Sequence, residues 1–171
     1  MGSTTIIPVS EYLRTSYDPD RDYVDGHVLE RNMGERDHAD LQSELVFLFR
    51  LNKKNWNVYA YAELRVQVNS TRFRIPDVCA LAADAPDEQI ITHPPLLCIE
   101  ILSPEDTIQR MREKVKDYLY MGVPQVWIFD PKDRTAIVHT PTGISEQKTG
   151  DLTLPGTPVR IPLAEIFSVL D

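Results

Sequence analysis

The sequence has no apolar run of about 18–20 residues, the length that crosses a bilayer, and its N-terminus shows no basic segment followed by an apolar core. These absences exclude a helical membrane span and a visible secretory leader, and set the expectation of a cytoplasmic protein. There is no Gly-rich phosphate loop, which removes kinases and NTPases built on one. Cysteine is scarce: Cys79 and Cys98 only. Each lies in an apolar run, so both read as buried small hydrophobes rather than a disulfide. Two cysteines and four histidines without ligand spacing make no zinc site. A basic stripe is also missing. Lys and Arg number 18 against 26 Asp and Glu, a net charge of −8, whereas nucleic-acid binding normally shows as a basic surface. Any such partner must be met by local clusters, Arg72/Arg74 and Arg110/Arg112/Lys114/Lys116, or by a dimer that combines two clefts. No repeat, linker or low-complexity stretch divides the chain, so residues 1–171 read as one domain.

What is present is a chain of short strands and four helical segments. Ser10 is placed to cap a first helix, Glu11 to Arg14. Tyr23 to Leu29 predicts a hairpin about Asp25-Gly26, the dipeptide that tolerates positive φ at both turn positions. Leu41, Leu45, Leu48 and Phe49 repeat at helical spacing, with Asp37 as cap and an end near Asn52. Strands follow at Val58–Tyr61 and Glu63–Val68, and the turn Asn69-Ser70-Thr71 leads into a strand containing Asp77. Residues 82–95 hold three prolines and several acids, a loop. The run Leu96 to Leu102 is apolar on both parities, as in a central buried strand. Ser103, Pro104 and Asp106 predict a helix start, and Gly122 with Pro124 predicts its end. Val126 to Phe129 is then a strand parallel to the one before the helix. Thr135 to His139 is a further strand, and Leu163 to Leu170 a short helix after a stretch of turns.

Two acids interrupt these strands. Asp77 shares parity with Ile75, Cys79 and Leu81; Glu100 shares parity with Leu96, Cys98 and Leu102. Buried charge is costly unless paired or used to hold a metal. If the two strands pair, the carboxylates meet across one strand spacing, ~5 Å. Hard oxygen donors at that distance suit Mg²⁺ or Mn²⁺, and the Ile101 carbonyl can add a third. Lys114 is the candidate cation. The returning helix places it roughly level with Glu100, given ~1.5 Å per helical residue, ~3.3 Å per strand residue and the N-terminal lean of helical side chains. It borders a stripe of Ile108, Val115 and Leu119. Lys116 points away, and Arg112 flanks the stripe as the alternative cation. Carboxylate-held metal with an adjacent lysine is the equipment of metal-dependent phosphodiester hydrolysis. Taken singly, Asp77 after Pro76 reads as the start of a turn, and Glu100 as a strand-end cap or a partner of Arg74.

The segments IPDVCAL (75–81), LLCIEILSPEDT (96–107) and REKVKDYLYMGVPQVWIFDP (112–131) together resemble the Uma-type endonucleases of the restriction-endonuclease-like superfamily. That superfamily's signature is Pro-Asp followed by (Asp/Glu)-X-Lys. YVDGHVLE (23–30) and HADLQSEL (38–45) resemble the same family's early hairpin and first-helix histidine. The resemblance implies an α/β fold: a restriction-endonuclease-like core, a mixed sheet of about four strands flanked by helices, with an added N-terminal hairpin. It implies Asp77 and Glu100 as metal ligands and Mg²⁺- or Mn²⁺-dependent cleavage, with DNA as partner; cutting both strands of a duplex would favour a two-fold homodimer. The superfamily's lysine would fall two residues after Glu100, where this chain has Leu102; the lysine of this branch looks relocated to Lys114. His38 and Glu63 match as additional site residues, while Tyr118, Gly122, Pro124 and Trp127 match as packing and helix termination. Two other readings stand beside the endonuclease. One is a non-catalytic nucleic-acid-binding or interaction protein on the same fold. The other is a phosphohydrolase for a small substrate.

Overall fold

The structure, a computed structural model, describes residues 5–32 and 34–171. Helix α1 spans Val9–Arg14, with Pro8 at its N-cap; the predicted cap, Ser10, sits inside the first turn. Strands β1 (Asp22–Val24) and β2 (His27–Leu29) form the predicted hairpin, with Asp25 at φ 50° and Gly26 at φ 95°. Helix α2 runs from Arg36 to Trp56, beyond the expected end, because Trp56 extends the buried stripe of Leu41, Leu45, Leu48 and Phe49. Asn57, in the left-handed region, stops it. Asp37 lies in its first turn, where an acid suits the helix dipole, rather than at the cap.

Strand β3 (Val58–Ala62) follows, then a second hairpin, β4 (Val66–Asn69) and β5 (Arg72–Arg74). The N-terminal hairpin is therefore no appendage: β1 pairs with β5, giving a four-stranded sheet ordered β2-β1-β5-β4. The turn after Asn69 leads into β5, and Asp77 lies one residue before the next strand, β6 (Val78–Ala82), rather than within it.

Strand β7 (Leu97–Ile101), helix α3 (Ile108–Met121) and strand β8 (Gln125–Asp130) make the predicted crossover, with β7 and β8 parallel. Strands β9 (Thr135–Thr140) and β10 (Gly143–Gln147) complete a six-stranded sheet, β10-β9-β8-β7-β6-β3, in which β7–β8 is the parallel pair. The start of α3 differs from expectation. Asp106 accepts the Ser103 N–H at 2.8 Å in a separate turn, and Thr107 is the true N-cap, accepting the Arg110 N–H at 3.2 Å. A side chain that satisfies the backbone locally removes the need for helix. Gly122, at φ 109°, ends α3 as predicted.

The tail adds a two-stranded ribbon, β11 (Asp151–Thr153) and β12 (Arg160–Pro162), then α4 (Leu163–Phe167) and one 3₁₀ turn. Sequence reading placed only turns where this ribbon lies. One face of the main sheet packs Leu97, Ile99, Trp127 and Phe129 against α2 and α4. The other packs Cys79, Cys98, Val126 and Ile128 against Val115 and Tyr118 of α3. Every residue of β7 is buried, as its apolar run on both parities requires, Glu100 included, each large apolar side chain contributing about 1.5–3 kcal/mol. Ile108 leaves the apolar stripe and is 74% exposed. Among the described residues no helix is long and apolar enough to cross a membrane.

Candidate active site

The pairing of Val78 with Ile99, carried one step on, sets Asp77 opposite Glu100. Both acids, with Ile101, line one cleft of about 270 Å³ at the end of β6 and β7. It opens where the start of α2 and the first two turns of α3 converge. The two acids predicted to meet across neighbouring strands therefore face a common space. Each is nearly inaccessible, at 4% and 2% exposure.

Glu100 is held from α3. Lys114 Nζ donates to its Oε2 at 2.8 Å, and the Tyr118 hydroxyl donates to Oε1 at 2.6 Å. Lys114 and Tyr118 lie four apart on one helical face, the spacing that lets both reach one acceptor. Lys114 thus stands where the sequence set it, although α3 begins four residues later than expected. Tyr118, read from sequence as packing alone, is also a hydrogen-bond donor to the acid. Arg112 is exposed and lies outside the cleft, so the alternative cation is not brought to the acids. Arg74 does not pair with Glu100 either; it is taken up by Asp22 and Asp117.

Asp77 has a richer shell. Its Oδ2 accepts the Ile101 N–H at 2.7 Å and lies 3.2 Å from His38 Nε2, while its Oδ1 accepts from Arg31 Nη2 at 3.1 Å. Gln42 donates to the Asp77 carbonyl at 2.9 Å and reaches Glu63 at 3.3 Å. Glu63 follows β3 in the left-handed region, φ 56°, and its carboxylate lies 3.5 Å from Arg31 Nη1. His38 and Glu63 both line the cleft, as their match suggested. Arg31 and Gln42 were missed. Gln42 lies four residues after His38, one helical turn on the same face, which was the available signal. For Arg31 there was none, since it sits on a segment without regular structure.

The two neighbouring acids differ in proton affinity. Burial pushes the Glu100 carboxyl up to about 7, against the pull of Lys114 and with the Asp77 charge adding to the rise. Burial acts on Asp77 too, but His38, Lys114 and the Ile101 N–H outweigh it and hold that carboxyl below its ordinary range. Burial would lower Lys114 and His38; the facing acids outweigh it, and both are held above their ordinary values. Lys114 therefore stays charged, and its contact with Glu100 becomes a full ion pair only above about pH 7. Paired acids with divided proton affinities in a cleft are a recurring sign of a reactive site.

A divalent metal is implied by the residues, and the donor set fits one. Carboxylate and peptide oxygens are hard ligands suited to Mg²⁺ or Mn²⁺. Each carboxylate has about four lone-pair directions, more than its protein donors occupy. Among the described residues no group of three or more His, Cys, Asp or Glu side chains stands in a metal-holding array. Two acids must then be completed by main chain, water and substrate, as is usual for Mg²⁺.

Comparison with known proteins bears on the family and the fold. The family model Uma2, described as "Putative restriction endonuclease", matches residues 9–163. Among solved structures, the chain is similar to "a putative nuclease belonging to DUF820 from Anabaena variabilis ATCC 29413". The two superpose with a TM-score of 0.83 at 22% identity, over 96% of this chain and 99% of that one. A DrdV–DNA complex matches with a TM-score of 0.43 at 12% identity, over 80% of this chain and 12% of that one, too weak to bear on fold or function. No curated protein matches the chain.

Proposed function

The chain belongs to the Uma2 family, and from that premise we propose that it is a metal-dependent endonuclease hydrolysing DNA phosphodiester bonds, with residues 1–171 acting as one nuclease domain. The observation that carries this reading is the shared cleft of Asp77 and Glu100, backed by Lys114. Asp77, Glu100 and the Ile101 carbonyl would hold Mg²⁺ or Mn²⁺. When bound, the ion supplies positive charge that polarises a phosphate oxygen and acidifies a water.

The protein's own residues do the rest. Tyr118 and Lys114 fix the Glu100 carboxylate from one side, so its free lone pairs point into the cleft. The Ile101 N–H fixes Asp77, and Gln42 anchors its main chain. The Lys114 ammonium, at the cleft wall, orients the attacking water and stabilises charge developing on the phosphate. His38, raised in proton affinity by Asp77, is placed to exchange a proton at the cleft mouth. Cleavage of both strands calls for two such clefts, hence a two-fold homodimer, and a cytoplasmic location goes with the substrate.

Incubation of supercoiled plasmid with the protein and Mg²⁺ or Mn²⁺ tests the proposal. Nicked and then linear product is expected, with none in EDTA and none from Glu100→Ala. Tight DNA binding without cleavage under any divalent ion would favour the non-catalytic binding protein, the reading that the net charge of −8 supports.

A further inference from the structure

Arg31 covers one carboxylate oxygen of Asp77, its Oδ1. It follows β2 on an irregular segment, yet its side chain is only 10% exposed. One arm of its fork donates to Asp77 Oδ1 at 3.1 Å, and the other lies 3.5 Å from Glu63 Oε2. The segment is latched to the start of α3 and its approach. Asn32 donates to Asp106 at 2.8 Å, and Arg110 donates to Asn32 at 3.4 Å and to the Glu30 carbonyl. Four acids line or border this cleft, Glu63, Asp77, Glu100 and Asp106, and Arg31 is shared between two of them.

The chemistry of the guanidinium limits what it can do there. It cannot leave Asp77 by losing a proton, because it stays charged throughout the range in which proteins fold. It leaves only when another cation takes over the neutralisation of Asp77. Glu63 then matters. It is half-exposed, at 44%, so release from Asp77 leaves Arg31 tethered at the rim rather than loose in solvent. A planar fork tethered by one arm presents the other to whatever enters the cleft, and it matches phosphate oxygens in pairs.

We propose that Arg31 is a resident counter-cation of the metal site that becomes a phosphate ligand: it neutralises Asp77 in the metal-free protein, is displaced from Oδ1 when a divalent ion enters, and pivots on Glu63 to bind the substrate phosphate. This rests on the metal-dependent phosphodiesterase reading above. It makes two demands of opposite sign. Loss of Arg31 strengthens metal binding, since a competitor is gone, and weakens nucleic-acid binding, since a phosphate contact is gone. A residue that merely orients Asp77 would weaken metal binding when removed.

The test is calorimetric titration of full-length wild type, Arg31→Met and Arg31→Lys with Mn²⁺, and fluorescence anisotropy of a short mixed-sequence duplex DNA with the same proteins in Ca²⁺. Arg31→Met should bind Mn²⁺ on the order of tenfold more tightly, within the usual range of site coupling. Its DNA affinity should fall across all sequences, with a log–log salt slope shallower by about 1. Arg31→Lys keeps the charge but not the fork, so it should show little gain for Mn²⁺ and a reduced DNA affinity; it also covers the case in which Arg31→Met does not fold. Unchanged or weaker Mn²⁺ binding in a cooperatively melting Arg31→Met would overturn the counter-cation role, and unchanged DNA affinity and salt slope would overturn the phosphate role. Wild type that binds Mn²⁺ and DNA while these variants miss the pattern leaves the nuclease reading standing and removes only Arg31. Wild type that binds neither removes both.

Discussion

Glu100 concentrates the residue-scale physics of this site. Its carboxyl is pushed up to about 7 by burial, while an unfolded Glu titrates near 4.5. Between those values the folded chain holds more protons than the unfolded one, so this group's contribution to stability falls as pH rises. His38 acts in the same direction. Its folded value is raised above 6.5, so its contribution is complete below that and is lost as pH rises through the raised value. Asp77 is lowered below 3.8; its contribution is present above 3.8 and is lost as pH falls through the lowered value. The metal-free protein should therefore melt at progressively lower temperature from about pH 5 to pH 8 in EDTA, and Mn²⁺ should oppose the decline by taking the place of the proton on Glu100. A melting temperature that rises over that range in EDTA would show that the Glu100 ion pair, not its burial, dominates. Lys114 supplies the companion prediction. Lys114→Ala should lower the cleavage rate ~10²-fold or more, as loss of a charge-stabilising donor does. It should also destabilise the metal-free protein by about 3 kcal/mol, because it strands a buried partner. Lys116 is exposed on the far side of α3, and Lys116→Ala should shift stability by no more than about 0.5 kcal/mol. Plasmid assays and chemical denaturation of the two variants separate the two residues.

At the scale of elements, α3 ties the two larger sheets together. Its Asp117 accepts from Arg74 at 2.7 Å and from Arg72 at 2.9 Å, both on β5 of the four-stranded sheet, while Lys114 and Tyr118 reach Glu100 on the six-stranded one. Arg74 is 1% exposed, bonds Asp22 as well, and among the described residues leaves its Nη2 without a partner. Arg74→Ala would leave buried Asp22 without its cation and Asp117 with Arg72 alone, and should cost about 3–5 kcal/mol, read as a lower urea midpoint; a change under about 1 kcal/mol would mean that the junction behaves as a surface pair. The crossover β7–α3–β8 was legible in sequence because its signals are local: an apolar run, a glycine stop and a proline. The start of α3 was not, since Ser103-Pro104-Asp106 satisfies a turn as well as a cap. The ribbon of β11 and β12 was not legible either, since each strand is three residues long and too short to show alternation. Of the site, Asp77, Glu100 and Lys114 could be read because charge interrupts apolar periodicity. Arg31 could not, because an arginine in a coil carries no pattern until the fold brings Asp77 to it.

At the scale of the whole molecule, part of the positive charge is taken up by the protein's own acids. Of the two basic clusters in the sequence, Arg72 and Arg74 are spent on Asp25, Asp22 and Asp117, and Lys114 on Glu100. Arg110 lines the cleft and bonds Asn32 and the Glu30 carbonyl rather than an acid, and Arg112 and Lys116 are left exposed. With so few free phosphate contacts, duplex affinity in Ca²⁺ at physiological salt should lie in the non-specific range, a Kd of ~10⁻⁴–10⁻⁶ M, and anisotropy showing nanomolar binding would point to a recognition surface outside this cleft. The six-stranded sheet, α2 and α3 meet at one point, and the account stands on what that point holds. Its central claim is that Asp77 and Glu100 share a divalent ion, and the most direct measurement is anomalous diffraction at the manganese edge from crystals soaked in Mn²⁺. The account predicts a peak ~2.0–2.3 Å from an oxygen of each carboxylate, with Arg31 moved off Asp77. Crystals saturated in Mn²⁺ with no peak between the two acids, and Arg31 still on Asp77 Oδ1, would contradict it.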